Sequence, residues 1–223
     1  ELIKKSNYKI SDISSKIYTR NPLGPFTTST LQQTASGKLG FGASRTMQIA
    51  QRLYQGIDIE GDTVGLITYM RTDGTNISKD AITEFRKFIT KSYGNDYLPK
   101  DPNNYSGKKA KNAQEAHEAI RPTDFSKLPE NVEKLSKDEL NLYSLIWRRA
   151  MASQARAAEV LQTTILISSM CEEHSFRASG QILIFEGHLK VYKDSKKEDD
   201  EKHLPNVKES ENALLKSLEK QQH

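Results

Sequence analysis

Cysteine is nearly absent: Cys171 is the single one in 223 residues. That excludes an intramolecular disulfide framework and fits a reducing compartment. No Cys/His grouping has the spacing of a zinc site. No apolar run is long enough to span a membrane, and the N-terminus lacks the apolar core of a signal peptide. There is no internal repeat. Neither sign of charge dominates, and the net charge of +4 permits an acidic partner such as DNA without demanding one. The chain opens on Glu1 rather than Met, which reads as a fragment excised from a longer protein. The length allows one large or two small domains with a real core.

What is present is a helical middle flanked by strand-like ends. Residues 8–18 alternate partially, with Ile10, Ile13 and Ile17 among Ser and Lys, and read as one or two strands. Asn21-Pro22-Leu23-Gly24-Pro25 breaks them. Thr28 or Ser29 can cap a helix to about Ser36, with Gly37 as its stop. Ser44 can cap a second, ending at Gly56. Residues 57–60 and 63–68, around Gly61-Asp62, read as a hairpin. Two helices and a hairpin are the order of a winged-helix module. Ser78 caps a third helix that ends at Gly94. Residues 95–112 read as a loop and 114–120 as a short helical turn. Ser136-Lys137-Asp138-Glu139 is a capping box for a helix carrying Tyr143, Ile146, Trp147 and Ala150, with Arg148 and Arg149 suited to the dipole at its end. Strand character returns in residues 161–167, 175–178 and 181–192. Residues 194–202 form a solvated charge run, and the tail near Ala213 is read as a strand despite the helical spacing of its leucines. The expectation is an α+β protein: a helical, winged-helix-like domain over residues 28–157, inserted in a discontinuous β domain made of residues 1–27 and 158–223.

The stretch that carries chemistry is Gly65-Leu66-Ile67-Thr68-Tyr69-Met70-Arg71-Thr72-Asp73-Gly74-Thr75-Asn76. It begins β-prone and turns polar, so Tyr69 sits where a strand runs out into a loop. Arg71, two residues on, shares its side if the strand persists. A phenol can attack phosphorus and a guanidinium can hold its oxygens. On spacing alone the plainer reading, a buried Tyr beside a surface Arg, is the stronger.

The same stretch closely resembles the active-site segment of type IA DNA topoisomerases, in particular the bacterial topoisomerase I group. Three further stretches match that family in order: Pro25-Phe26-Thr27-Thr28-Ser29-Thr30-Leu31-Gln32-Gln33, Leu39-Gly40-Phe41-Gly42, and Ala113-Gln114-Glu115-Ala116-His117-Glu118-Ala119-Ile120-Arg121-Pro122. The likeness continues loosely past Trp147 and covers most of the chain, but only a middle portion of such an enzyme. Compared with that family, residues 58–63 are a short insertion.

The resemblance implies that Tyr69 attacks a phosphodiester of single-stranded DNA to give a 5′-phosphotyrosine and a free 3′-hydroxyl. A strand then passes through the gap and the attack reverses, relaxing negative supercoils without ATP. A free phenol titrates near ~10, so the nucleophile needs a base or a positive field. Arg71 would act as an electrostatic clamp on the phosphate. His117 would hydrogen-bond to it; without the surrounding match His117 is an ordinary loop imidazole. Arg121 is implied as a DNA contact. The β part is implied to be an arch that lets the tyrosine-bearing domain swing away. Also implied are Mg²⁺ bound by a Toprim domain, which this sequence lacks, a monomeric state, association with the remaining domains of the enzyme, and a cytoplasmic, nucleoid-associated location. Glu198-Asp199-Asp200-Glu201 has packed rather than alternating acids and is not that metal site. The competing reading is a noncatalytic winged-helix DNA-binding module. It needs a basic recognition helix, and residues 44–55 hold only Arg45 and Arg52. A tyrosine recombinase or type IB enzyme would instead leave a 3′-phosphotyrosine.

Overall fold

The computed structural model describes residues 7–59, 62–105, 117–170, 173–192, 204–205 and 207–213. The chain is a mixed helix-and-sheet protein of two compact units. One comprises Glu1–Arg20, Ala158–Glu186 and Asp194–His223, the other Asn21–Ala157 and Gly187–Lys193.

The sheet unit is built on β1 (Tyr8–Arg20), one 13-residue strand. In chain order the hairpin strands β2 (Ile57–Ile59) and β3 (Asp62–Val64) belong to the other unit. β4 (Ala158–Ser169), β5 (Ser175–Phe185) and β6 (Asn212–Ala213) complete the sheet in the order β5-β4-β1-β6, every pair antiparallel. β-branched residues face each other across it, as in Ile13 against Ile165. Hydroxyl pairs reinforce the ladder: Ser11 with Ser168 at 2.8 Å and Ser15 with Thr163 at 3.0 Å. Two expected strands over 175–192 are in fact one. Ser179 and Gly180 pair with Thr164 and Thr163, so nothing interrupts β5. It stops at Phe185, and Gly187–Lys190 is a 3-10 turn instead of strand. Gly187 has φ 50, and a Cβ there would lie 2.5 Å from the Arg156 and Ala157 carbonyl oxygens, so glycine is required. The strand at Ala213 pairs with Tyr8. The charge run at 194–202 and the acidic cluster at 198–201 lie outside the described residues.

The helical unit holds α1 (Thr28–Leu39), α2 (Ala43–Gln55), α3 (Lys79–Tyr93) and α4 (Lys137–Ser153). α4 is the centre of the core. Its capping box forms as the sequence predicts, with Ser136 and Glu139 exchanging bonds. Its buried residues run almost all round, from Leu142 and Tyr143 to Met151, so α1, α2 and α3 pack about it. Trp147 is buried and turns its indole N–H to the Phe125 carbonyl.

Several boundaries differ from expectation, each for a local reason. The cap of α1 is Thr27, whose side chain accepts from the Thr30 N–H. The helix runs through Gly37 to Gly40, which alone takes the left-handed conformation (φ 69) that ends it. α2 is capped by Gly42 without a side-chain bond, which leaves Ser44 facing outwards. The first unit boundary falls after Arg20, not after residue 27, because Phe26 is fully buried in the helical core. Residues 117–120 are extended, not helical: Glu118 bridges Asn76 and Ile120 bridges Phe26. Residues 114–116 lie outside the described residues. Arg149 is no dipole cation at the surface. It is 7% exposed, donates to the Gly24 carbonyl at 2.7 Å and lies over the Phe26 ring. Asn103 and Tyr105, placed in a loop by composition, tie that loop to the end of α4 through the Ser153 carbonyl.

Candidate active site

The outgoing strand β3 ends at Val64, short of the residue 68 that the sequence suggests. Beyond it the backbone finds partners other than a ladder. The Leu66 N–H donates to Leu53 O at the end of α2, and the Thr68 N–H donates to Arg121 O. The Thr68 hydroxyl donates to Ala119 O at 2.7 Å and accepts the Arg121 N–H at 3.0 Å. Thr28, the first residue of α1, grips the other side. Its hydroxyl donates to Met70 O and accepts the Thr72 N–H, both at 2.8 Å, and its own N–H donates to Thr72 O at 2.9 Å. That last bond uses one of the N–H groups a helix start leaves without an internal partner.

Held this way, residues 69–73 alternate although they are in no strand. Met70 and Thr72 are buried; Tyr69, Arg71 and Asp73 are exposed. Tyr69 and Arg71 therefore both point away from the core. Tyr69 is 51% exposed, and its ring meets Tyr54 edge-on, with centroids 5.4 Å apart. Arg71 makes no hydrogen bond or ion pair among the described residues. It borders an open groove of about 700 Å³ lined by α1 and α2 residues including Gln32, Gln48 and Gln51.

His117 reaches this loop from the other side. Asn76 and Glu118 form a parallel bridge, and Gly74 lies beneath the His117 carbonyl. A Cβ on Gly74 would sit 1.8 Å from that oxygen, so no side chain fits. The His117 ring is exposed, with Nδ1 3.4 Å from a carboxylate oxygen of Asp73. Replacing Gly74 with Ala is accordingly expected to push the His117 segment away. Overpacking of this kind costs about 1–3 kcal/mol, which a melting curve of this chain reads directly. An unchanged melting temperature would mean the two segments are not in contact.

Arg121 is different in kind. Its side chain is 11% exposed, and its Nε and Nη2 both bind Glu118 Oε1, at 2.8 and 2.7 Å. Its Nη1 donates to Pro122 O. Glu118 Oε1 also accepts the Ser78 N–H at the start of α3. The guanidinium is thus spent on internal bonds that order the loop.

Exposure separates Tyr69, and its neighbour Tyr54, from Tyr105 and Tyr143 of the helical unit. Tyr105 bonds Ser153 O and Pro22 O, and burial pushes its phenol up to about 12, with Arg149 offsetting part of the rise. Tyr143 bonds Lys127 O and burial raises it further. Neither is available to a ligand. Sequence reasoning missed Thr28, Thr68 and Gly74 as supports, although all three lie inside the motifs; their roles depend on contacts 42 or more residues away. Among the described residues no group of three or more His, Cys, Asp or Glu could hold a metal ion, and no helix is long and apolar enough to cross a membrane.

A half-exposed phenol and an exposed guanidinium thus share the outward side of a loop pinned from both sides, a pair of groups able to attack a phosphate ester and to hold its oxygens. The comparisons agree on the class: the sequence profile of the DNA topoisomerase family matches residues 1–223, and the chain belongs to that family. Among its relatives is DNA topoisomerase 1 of Rickettsia bellii, 47% identical over 227 residues, covering 100% of this chain and 28% of the relative. That of Xylella fastidiosa strain 9a5c is 47% identical over 229 residues, with 99% and 28% covered. The solved structure of full-length topoisomerase I from Thermotoga maritima matches with a TM-score of 0.81 and 33% identity, over 96% of this chain and 34% of that one. The chain therefore spans about a quarter to a third of the length of these relatives.

Proposed function

We infer that the chain is the nucleophile-bearing part of a type IA DNA topoisomerase that relaxes negative supercoils without ATP. Tyr69 Oη attacks the phosphorus of a single-stranded DNA phosphodiester. The P–O3′ bond breaks, the protein keeps a 5′-phosphotyrosine, and the 3′-oxygen leaves with a proton as a hydroxyl. After strand passage the 3′-hydroxyl attacks the phosphotyrosine and the proton returns to the phenol. Arg71 holds the phosphate oxygens as charge builds on them, and His117 donates a hydrogen bond to the same group. The observation that carries this reading is the outward pairing of Tyr69 and Arg71 on a loop whose alternate residues are buried.

In this reading the helical unit is the winged-helix-like domain, with β2 and β3 as its wing, and the sheet unit is the arch. Arg121 supports the DNA-facing loop through Glu118 and has no strand contact of its own to offer. The described residues do not fit a Mg²⁺ site, so no step here runs through the metal, which this reading assigns to the remaining domains. The complete enzyme would work as a monomer on nucleoid DNA in the cytoplasm.

The test is complementation. This chain alone is expected to leave supercoiled plasmid untouched, and to relax it once a separately purified Toprim-bearing remainder and Mg²⁺ are added. Relaxation by the chain alone, abolished in a Tyr69→Phe variant, would overturn the division of labour.

A further inference from the structure

α2 presents two opposite stripes. Thr46, Ile49, Ala50 and Leu53 are buried in the core. Ser44, Met47, Gln48, Gln51 and Arg52 follow the same helical spacing on the other side and form one wall of the groove that Arg71 borders. Gln32 of α1 lines it too. Arg52 is engaged with Glu139, at 3.3 Å. The side chains of Gln32, Gln48 and Gln51 make no hydrogen bond among the described residues. The groove thus combines one uncommitted cation with three amides that both donate and accept.

That inventory discriminates between ligands. A run of phosphates calls for several cations along its track, and this groove offers two, Arg71 and Arg52, the second already paired with Glu139. Amides match the paired donor and acceptor on a base edge, as when Gln binds adenine through N6 and N7. Met47 adds a polarisable thioether of the kind that packs against aromatic rings. A volume of about 700 Å³ is ample for a nucleotide.

Resting on the functional reading above, we propose that this groove is a base-reading subsite for the unpaired nucleotide next to the phosphate held by Arg71, with Gln32, Gln48 and Gln51 contacting its edge. The subsite biases where the strand is cut.

The experiment uses the complete enzyme with Mg²⁺ and a pool of mixed-sequence single-stranded oligonucleotides, cleaved under trapping conditions and sequenced at the new ends. In the Gln32→Ala/Gln48→Ala/Gln51→Ala variant the base preference at one position beside the cut is expected to fall by about tenfold, the scale of one lost bidentate pair. The single variant Gln48→Glu, an exposed change that keeps side-chain volume, should shift the preference without affecting folding. An unchanged cleavage map in both variants, or a uniform weakening with the same map, overturns the proposal, since the groove then reads no base. Adducts that survive Tyr69→Phe in the same assay would instead overturn the functional reading.

Discussion

Tyr69→Phe in the complete enzyme is expected to eliminate the covalent DNA adduct and leave the fold intact. The phenolic oxygen makes no hydrogen bond among the described residues, and the residue is 51% exposed. Removing it strands no buried partner, so the stability change should stay within about 0.5 kcal/mol, as for other surface substitutions. The edge-on contact with Tyr54 needs only the ring. Tyr105 and Tyr143 cannot substitute, because both are bound to carbonyl oxygens inside the unit. A 3′-labelled oligonucleotide reads the outcome on a denaturing gel, since label should migrate with wild-type protein and not with the variant. Adduct persisting in the Phe variant would sink the assignment. Label retained from the 5′ side would point to a 3′-phosphotyrosine and a different enzyme class.

Arg71→Lys should lower single-turnover cleavage by roughly ten- to a thousandfold, the range for removing one transition-state donor. Lysine preserves the charge but not the planar fork that matches two phosphate oxygens at once. The structure separates this effect from unfolding. Arg71 is exposed and without a partner among the described residues, whereas Met70 and Thr72 on either side are the groups bonded to Thr28. The melting temperature should therefore not move. Cleavage at the wild-type rate would show that the guanidinium faces something other than the scissile phosphate.

The sequence makes legible what local chemistry decides. Ser136 and Glu139 lie three residues apart and cap α4 as their spacing predicts. Ser78 and Gly94 bracket α3 in the same way. The alternation of Tyr69 and Arg71 is also readable, although the strand assumed to produce it ends at Val64. What is not readable depends on distant partners. Gly37 reads as the stop for α1, yet the helix passes through it and ends only where the backbone turns left-handed at Gly40. Arg149 looks like a surface cation until Gly24 and Phe26 fold over it. Arg121 sits in a matching motif beside His117, yet its guanidinium is drawn inwards by Glu118, three residues earlier. Motif membership marks the residues; which point outwards and which brace the loop depends on tertiary contacts.

The threonine grip on the reactive loop has a mechanical consequence. Met70 O and Thr72 N–H are tied to the first residue of a 12-residue helix, and Thr68 is tied to the 119–121 segment. Such a segment cannot flap as a lid does. In the function proposed above, any travel that carries the phenol away from a cut end must carry α1 with it, so Tyr69 moves as cargo on a stiff body. Amide hydrogens at Thr68 and Thr72 would then exchange as slowly as those of the core helices, although both residues lie outside every strand and helix.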